Sequence, residues 1–116
     1  MLKFYCYSRW KTCQKAKAWL SQNDYEFSYL DLIKNPPQED ELLDLAKKAN
    51  KSAIDLVNKK SKAYKELNVN LESLSDEEII KELIKNPKAI KRPIITNGEK
   101  VVIGFLEEEI ENNFSN

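Results

Sequence analysis

Residues 93–103 constrain the fold more than any other part of this 116-residue chain. They form two short apolar runs separated by Asn97-Gly98, and both of these residues tolerate the positive φ angles that a two-residue hairpin turn requires. We therefore predict two antiparallel strands near the end of the chain.

The segments that precede and follow the hairpin show strand and helix patterns. Apolar residues at positions 13, 16, 19 and 20 follow the spacing of a helix with one buried face. Asn35-Pro36-Pro37 breaks the chain after the second strand, and Ser75 with Glu78 predicts a capping box. We predict strands over residues 2–7 and 26–32, and helices from residue 13, over 39–48, within 52–82 and over 106–114.

This order of elements predicts an α/β fold with a mixed sheet. The first two strands, joined through a helix, should be parallel by a right-handed crossover, and the hairpin adds an antiparallel pair. That is the thioredoxin-like arrangement. We expect one domain over residues 1–116, with its core at about 1–34 and 88–116 and a helical insertion at about 35–87. In this layout the loop after the first strand lies beside Arg92-Pro93.

Composition excludes several classes of function. The 19 basic and 19 acidic side chains balance, so the protein has no net positive charge that would attract nucleic acid. The absence of histidine excludes Cys-His and Ser-His nucleophile pairs and imidazole zinc sites, and two cysteines cannot complete a thiolate cage. We expect no metal site.

No apolar run approaches the roughly 18 residues of a membrane span, and the N-terminus lacks signal-peptide features. A cytoplasmic protein with reduced cysteines, and no membrane partner, is expected.

The two cysteines are the candidate chemical groups. Cys13 stands at a predicted helix start near Lys11 and Lys15, which would make its thiol reactive; alternatively, it is a small core residue. Cys6, within the first strand, is expected in the core. A disulfide between them needs Cα atoms within about 7 Å, which we do not expect of a strand residue and a helix residue seven positions apart.

Three segments together resemble the arsenate reductase (ArsC) family, and within it the Spx branch of transcription regulators. The likeness covers nearly the whole chain and implies the thioredoxin-like fold of the glutaredoxin and arsenate reductase type, with an inserted helical block and no cofactor. The segments are YSRWKTCQKAKAWL, SKAYKELNVNLESLS and KRPIITNGEKVVIGFLEEEI.

The resemblance implies a thiol loop whose first position has changed. Family members carry Cys-x-x-Cys or a single leading cysteine there, whereas this chain has Trp10-Lys11-Thr12-Cys13. A tryptophan cannot form the thiol adduct with an oxyanion. Cys13 matches the second cysteine, so the resemblance also implies that the family's dithiol switch is missing. Trp10 either folds back over the vacant thiol pocket or acts as an anchor for a partner.

Other family positions imply an anion site and a partner surface. Arg92 matches an arginine that cradles the oxyanion, and Pro93 matches a cis proline facing the thiol loop. A second family arginine falls at Lys60, which keeps the positive charge but cannot donate two parallel hydrogen bonds as a guanidinium does. The backbone amides around Thr12 complete the candidate anion site. A third family arginine has no counterpart near position 103. A glycine with which the Spx branch contacts RNA polymerase falls at Ser52.

Three hypotheses about function remain open. The first is a regulator or adaptor of the Spx type that acts through protein contacts, with the RNA polymerase alpha subunit as the partner that the resemblance implies. The second is an arsenate reductase-like enzyme in which Cys13 serves alone as the catalytic thiol. The third is a binding module for a thiol compound such as glutathione or for another small acid.

Overall fold

The computed structural model describes residues 1–67 and 70–114. Asn68 and Val69, in the stretch that the sequence predicts between two helices, lie outside the described residues. Short 3-10 turns lie at Ala53–Leu56, Leu71–Ser73 and Pro87–Ala89. The strands are β1 (Leu2–Cys6), β2 (Phe27–Asp31), β3 (Ile94–Thr96) and β4 (Val101–Ile103), and the helices are α1 (Lys11–Gln22), α2 (Glu39–Lys48), α3 (Lys62–Glu66), α4 (Asp76–Lys85) and α5 (Glu107–Phe114).

The four strands form one mixed sheet in the order β2-β1-β3-β4. β1 is parallel to β2 and antiparallel to β3, and β3 pairs with β4 as an antiparallel hairpin. Gly98 in the hairpin turn has φ +97°, which is the conformation that the Asn-Gly pair was predicted to supply. The α/β class and the mixed sheet are therefore confirmed.

The core of this sheet is built on β1, which is paired along both edges. Alternate strand residues share a face, so Leu2, Phe4 and Cys6 point together into one buried cluster. Burying a side chain as large as Phe4 contributes about 1.5–3 kcal/mol to the free energy of folding. Residues of α1, the hairpin and α5 complete the cluster: Cys13, Ala16, Leu20, Ile95, Val102 and Ile110.

The chain divides into two compact units. The first consists of Met1–Asp31 and the chain from Arg92 on, and the second is Leu32–Lys91. The second unit has its own apolar interior, with Leu42, Leu56 and Leu83 fully buried. Within the described residues, no helix is long and apolar enough to cross a bilayer, and no group of acidic, cysteine or histidine side chains could hold a metal ion.

Candidate functional site

The two cysteines lie at the junction between β1 and α1. Cys6 is the last residue of β1 and Cys13 the third residue of α1. Their Cα atoms are 5.9 Å apart, and a disulfide bond joins their sulfur atoms. The expectation that no disulfide links them is therefore wrong. The predicted helix began at residue 13, whereas α1 begins at Lys11, so a short connection keeps its first turn close to the end of the strand.

Both cysteine side chains are fully buried, with 0% of each exposed. Cys13 lies on the inner face of α1 with Ala16 and Leu20. Its Sγ accepts a hydrogen bond from the backbone N–H of Tyr7 at 3.1 Å. A buried, disulfide-bonded sulfur is not a nucleophile, so in this structure Cys13 is a core residue, as its alternative interpretation predicts, and its reactivity as a free thiol stays a prediction. Cys6 lies in the core as expected.

Trp10 occupies the N-cap position of α1 and makes no side-chain capping bond. Its ring is half-buried, packs against the cluster that contains both cysteines, and meets the Tyr7 ring edge-on with centroids 4.8 Å apart. The other contact is with Arg92, whose guanidinium carbon lies 3.2 Å from the centroid of the indole ring. The N-cap position of α1 is thus occupied by a tryptophan that forms a cation–π pair with Arg92.

Arg92 connects this loop to the start of β3. The Arg92–Pro93 peptide bond is cis. Nη1 of Arg92 is buried and has no hydrogen-bond partner, although a guanidinium carries five N–H donors. Desolvation by burial lowers the pKa of Arg92, but a guanidinium stays protonated at any physiological pH. Arg92 is therefore a cation with a donor still available for an anion.

The first turn of α1 adds backbone donors near Trp10. The first bond of the helical ladder runs from the N–H of Gln14 to the carbonyl of Trp10 at 3.1 Å. The N–H groups of Lys11, Thr12 and Cys13 precede that bond, and such groups have no partner inside the helix. The Thr12 side chain is exposed. These amides and Arg92 belong to the same unit.

Lys60 and Ser52 belong to the second unit. Lys60 is exposed and its backbone N–H donates to the Asn58 side chain at 3.2 Å. Ser52 is the N-cap of the turn Ala53–Leu56 and shares a capping box with Asp55. The hydrogen bonds from Ser52 lower the pKa of the Asp55 carboxyl. The side chain of Ser52 is thus used in a local cap, which fixes the backbone at that position.

Two features of the site escaped the sequence reasoning. The first is the disulfide. The second is Tyr7, whose N–H bonds to Cys13 and whose ring contacts Trp10. The sequence did contain a signal for the disulfide: only a few residues separate the first predicted strand from the helix that follows it. So short a connection keeps the end of the strand near the start of the helix.

Comparisons with known proteins give the family. The ArsC family model matches residues 5–113. The global transcriptional regulator Spx 2 of Bacillus anthracis is 33% identical over 110 residues, which cover 95% of this chain and 84% of that protein. The uncharacterized protein YusI of Bacillus subtilis (strain 168) is 35% identical over 116 residues, covering 98% of each chain.

A solved structure agrees with these relatives. The crystal structure of an ArsC family related protein from Bacteroides fragilis superposes with a TM-score of 0.88 at 32% identity, covering 96% of this chain and 95% of that one. The chain belongs to the ArsC family, and its fold is the thioredoxin-like fold of that family.

Proposed function

We propose that this protein is a regulator or adaptor of the Spx type that lacks the leading redox cysteine and acts through protein contacts. The observation that carries the proposal is the Trp10–Arg92 pair. An arsenate reductase needs a free thiolate and an unoccupied cation beside it. In this proposal Trp10 replaces the leading cysteine, and its ring lies 3.2 Å from the guanidinium carbon of Arg92, which supports the proposal. The site therefore favours binding over turnover.

The partner that the family suggests is the RNA polymerase alpha subunit, which would place the protein in the cytoplasm. The relatives named as global transcriptional regulators support this reading. Trp10 is a suitable contact residue because tryptophan is enriched at the energetic centres of interfaces. Its half-buried ring is held in place by Tyr7 and Arg92, so little conformational freedom is lost when it binds. Ser52, with its backbone fixed by a capping box, is the second proposed contact.

A direct binding measurement tests the proposal. The purified protein is titrated against purified RNA polymerase alpha subunit by biolayer interferometry. We expect saturable binding that Trp10→Ala weakens at least about tenfold, the typical effect of truncating an interface anchor. Trp19→Phe is the matched control, because it also removes an indole but leaves Trp10 untouched; its affinity should equal that of the wild type. Absence of binding by the wild-type protein would overturn the proposal.

A second function is favoured by the unpartnered Nη1 of Arg92. With the first-turn amides of α1, this group suits a small acid such as the carboxylates of glutathione. Titration with glutathione, followed by tryptophan fluorescence, tests this binding module. Quenching that Trp10→Phe abolishes and Trp19→Phe retains would support it, and an unchanged spectrum up to millimolar ligand would exclude it.

The third reading, an enzyme in which Cys13 serves alone, has the least support. Its sulfur is buried and bonded to Cys6. Arsenate would have to reach a sulfur that must first be reduced and exposed. We therefore expect no efficient reductase activity.

A further inference from the structure

The disulfide at the β1–α1 junction has no part in the proposed function. The two cysteines are seven positions apart, so the bond encloses only residues 7–12. That short loop contains Trp10, together with Tyr7, which contacts both Trp10 and Cys13. We infer that Cys6 and Cys13 form a reversible redox pair, distinct from the family's Cys-x-x-Cys, and that Trp10 controls access to it. This inference holds whether or not RNA polymerase is the partner.

Access is the first argument. Both cysteine side chains are 0% exposed, and Trp10 packs against the cluster that contains them. On the outer side of the loop, Ser8 and Arg9 are exposed. The loop is held by a bond from the N–H of Trp10 to the carbonyl of Tyr7 and by one from the Gln14 side chain to the carbonyl of Ser8, each 3.0 Å long. Together with the bond from the N–H of Tyr7 to Cys13 Sγ, these bonds hold a short segment whose outer side chains are exposed, and such a segment opens locally without unfolding the domain.

The chemistry needs a thiol donor and acceptor from outside the protein. In reduction, a thiolate of a small dithiol attacks Cys6 Sγ, breaks the bond to Cys13 and forms a mixed disulfide. The second thiolate of the dithiol then attacks the dithiol sulfur that is bonded to Cys6. This step releases Cys6 as a thiolate, and the dithiol departs as a cyclic disulfide. The protein gains two electrons and, after protonation, two protons; a small disulfide reverses both steps.

The geometry selects Cys13 as the leaving group. Charge develops on the departing sulfur, and a better stabilised thiolate leaves faster. Cys13 lies in the first turn of α1, where the helix dipole favours negative charge. Its Sγ also accepts the N–H of Tyr7 at 3.1 Å. Cys6, at the end of a strand, lies outside the first turn of the helix. The incoming thiolate is therefore expected to attack Cys6.

Equilibration in defined mixtures of reduced and oxidised dithiothreitol tests the pair. Samples of the wild-type protein are quenched with N-ethylmaleimide, and their intact masses are measured by mass spectrometry. We expect monomers carrying either no label or two labels, with the ratio following the mixture reversibly in both directions. Peptide mapping of the oxidised form should yield one linked peptide containing Cys6 and Cys13, and this readout does not depend on the folding of a cysteine variant. Two labels in every mixture, none even in fully reduced dithiothreitol, or a linked dimer would each overturn the inference.

The rate of reduction tests the role of Trp10. Trp10→Ala removes the ring that stacks on Arg92 and covers the cluster, so the bond should be reduced about tenfold faster at a fixed dithiothreitol concentration. Trp19→Phe, in the same helix, should leave the rate unchanged. Equal rates for the wild type and Trp10→Ala would show that Trp10 does not control access. A similar acceleration in Trp19→Phe would assign the effect to general loosening of the core.

Discussion

At the scale of single residues, the site depends on the contact between Trp10 and Arg92. Burial of a guanidinium removes water from its donors, which is why the pKa of Arg92 is lowered and why Nη1 is left without a partner. The indole face offsets part of that cost, because its quadrupole attracts the cation in a partly desolvated position. Trp10 therefore stabilises the arginine that we propose as part of an anion site.

A double-mutant cycle measures this contact. Trp10→Leu and Arg92→Met each remove one side of the pair, and we expect a coupling free energy of about 1–2 kcal/mol in urea unfolding. The control cycle combines Arg92→Met with Trp19→Leu, because Trp19 stacks on Tyr25 and meets the Phe105 ring edge-on. That cycle should be additive. A coupling of zero between Trp10 and Arg92 would mean that the stack contributes nothing to stability.

The sequence identified Trp10, Arg92 and Pro93 as neighbours because the order of elements places the loop after β1 beside the start of β3. It did not identify the disulfide. Pairing depends on the Cα separation of 5.9 Å, and that distance depends on where α1 begins. The sequence pattern placed the start of this helix at residue 13, two residues after its observed start at Lys11, because the boundary of an element is the least reliable part of a pattern-based prediction.

At the scale of elements, α4 shows how a local sequence signal fixes a helix end. The Ser75 side chain accepts the N–H of Glu78 at 3.2 Å, and the Glu78 carboxylate accepts the N–H of Ser75 at 3.1 Å. The capping box predicted from Ser75 and Glu78 is confirmed. Such signals are predictable because both partners lie within four residues, whereas the position of α1 depends on packing against the sheet.

Ser75→Ala tests the contribution of this cap. Loss of the bond to the N–H of Glu78 should lower the free energy of unfolding by about 1 kcal/mol. Ser21→Ala, at an exposed position in the last turn of α1, is the control and should change it by less than about 0.5 kcal/mol. Urea denaturation of both variants gives the comparison. Equal effects would show that the cap adds no specific stability.

The same cap predicts a pH dependence. Hydrogen bonds from the backbone and side chain of Ser75 lower the pKa of Glu78 in the folded protein. Its stabilising contribution is therefore complete above the ordinary glutamate pKa of about 4.3 and is lost as the pH falls through the lower, folded-state pKa. The difference in stability between the wild type and Glu78→Gln should shrink between about pH 6 and pH 3. A difference that does not change with pH would contradict this assignment.

At the scale of the whole molecule, strand order and hairpin chemistry predicted the sheet, because both follow from local patterns and the handedness of crossovers.

The bond between Cys6 and Cys13 adds a constraint that those patterns did not contain. It closes a short loop, and loop-closure entropy for so few residues corresponds to about 2–3 kcal/mol. We expect the reduced protein to unfold at correspondingly lower urea concentration than the oxidised protein, measured with and without a phosphine reductant. Identical midpoints would show that the bond does not restrict the unfolded chain.

Arsenate turnover tests the central claim most directly, namely that Trp10 and the buried Cys13 make this member of the ArsC family a binding protein and not a reductase. The reduced wild-type protein is assayed with arsenate and glutathione as donor, beside Trp10→Cys and Cys13→Ser. We predict no arsenite above the level of the donor alone for the wild type. Trp10→Cys should remain poor, because the loss of one electrostatic contact commonly costs about 10²- to 10³-fold in rate, and we propose that Lys60 stands where a reductase carries a second arginine. Robust turnover by the wild type that Cys13→Ser abolishes would contradict the account.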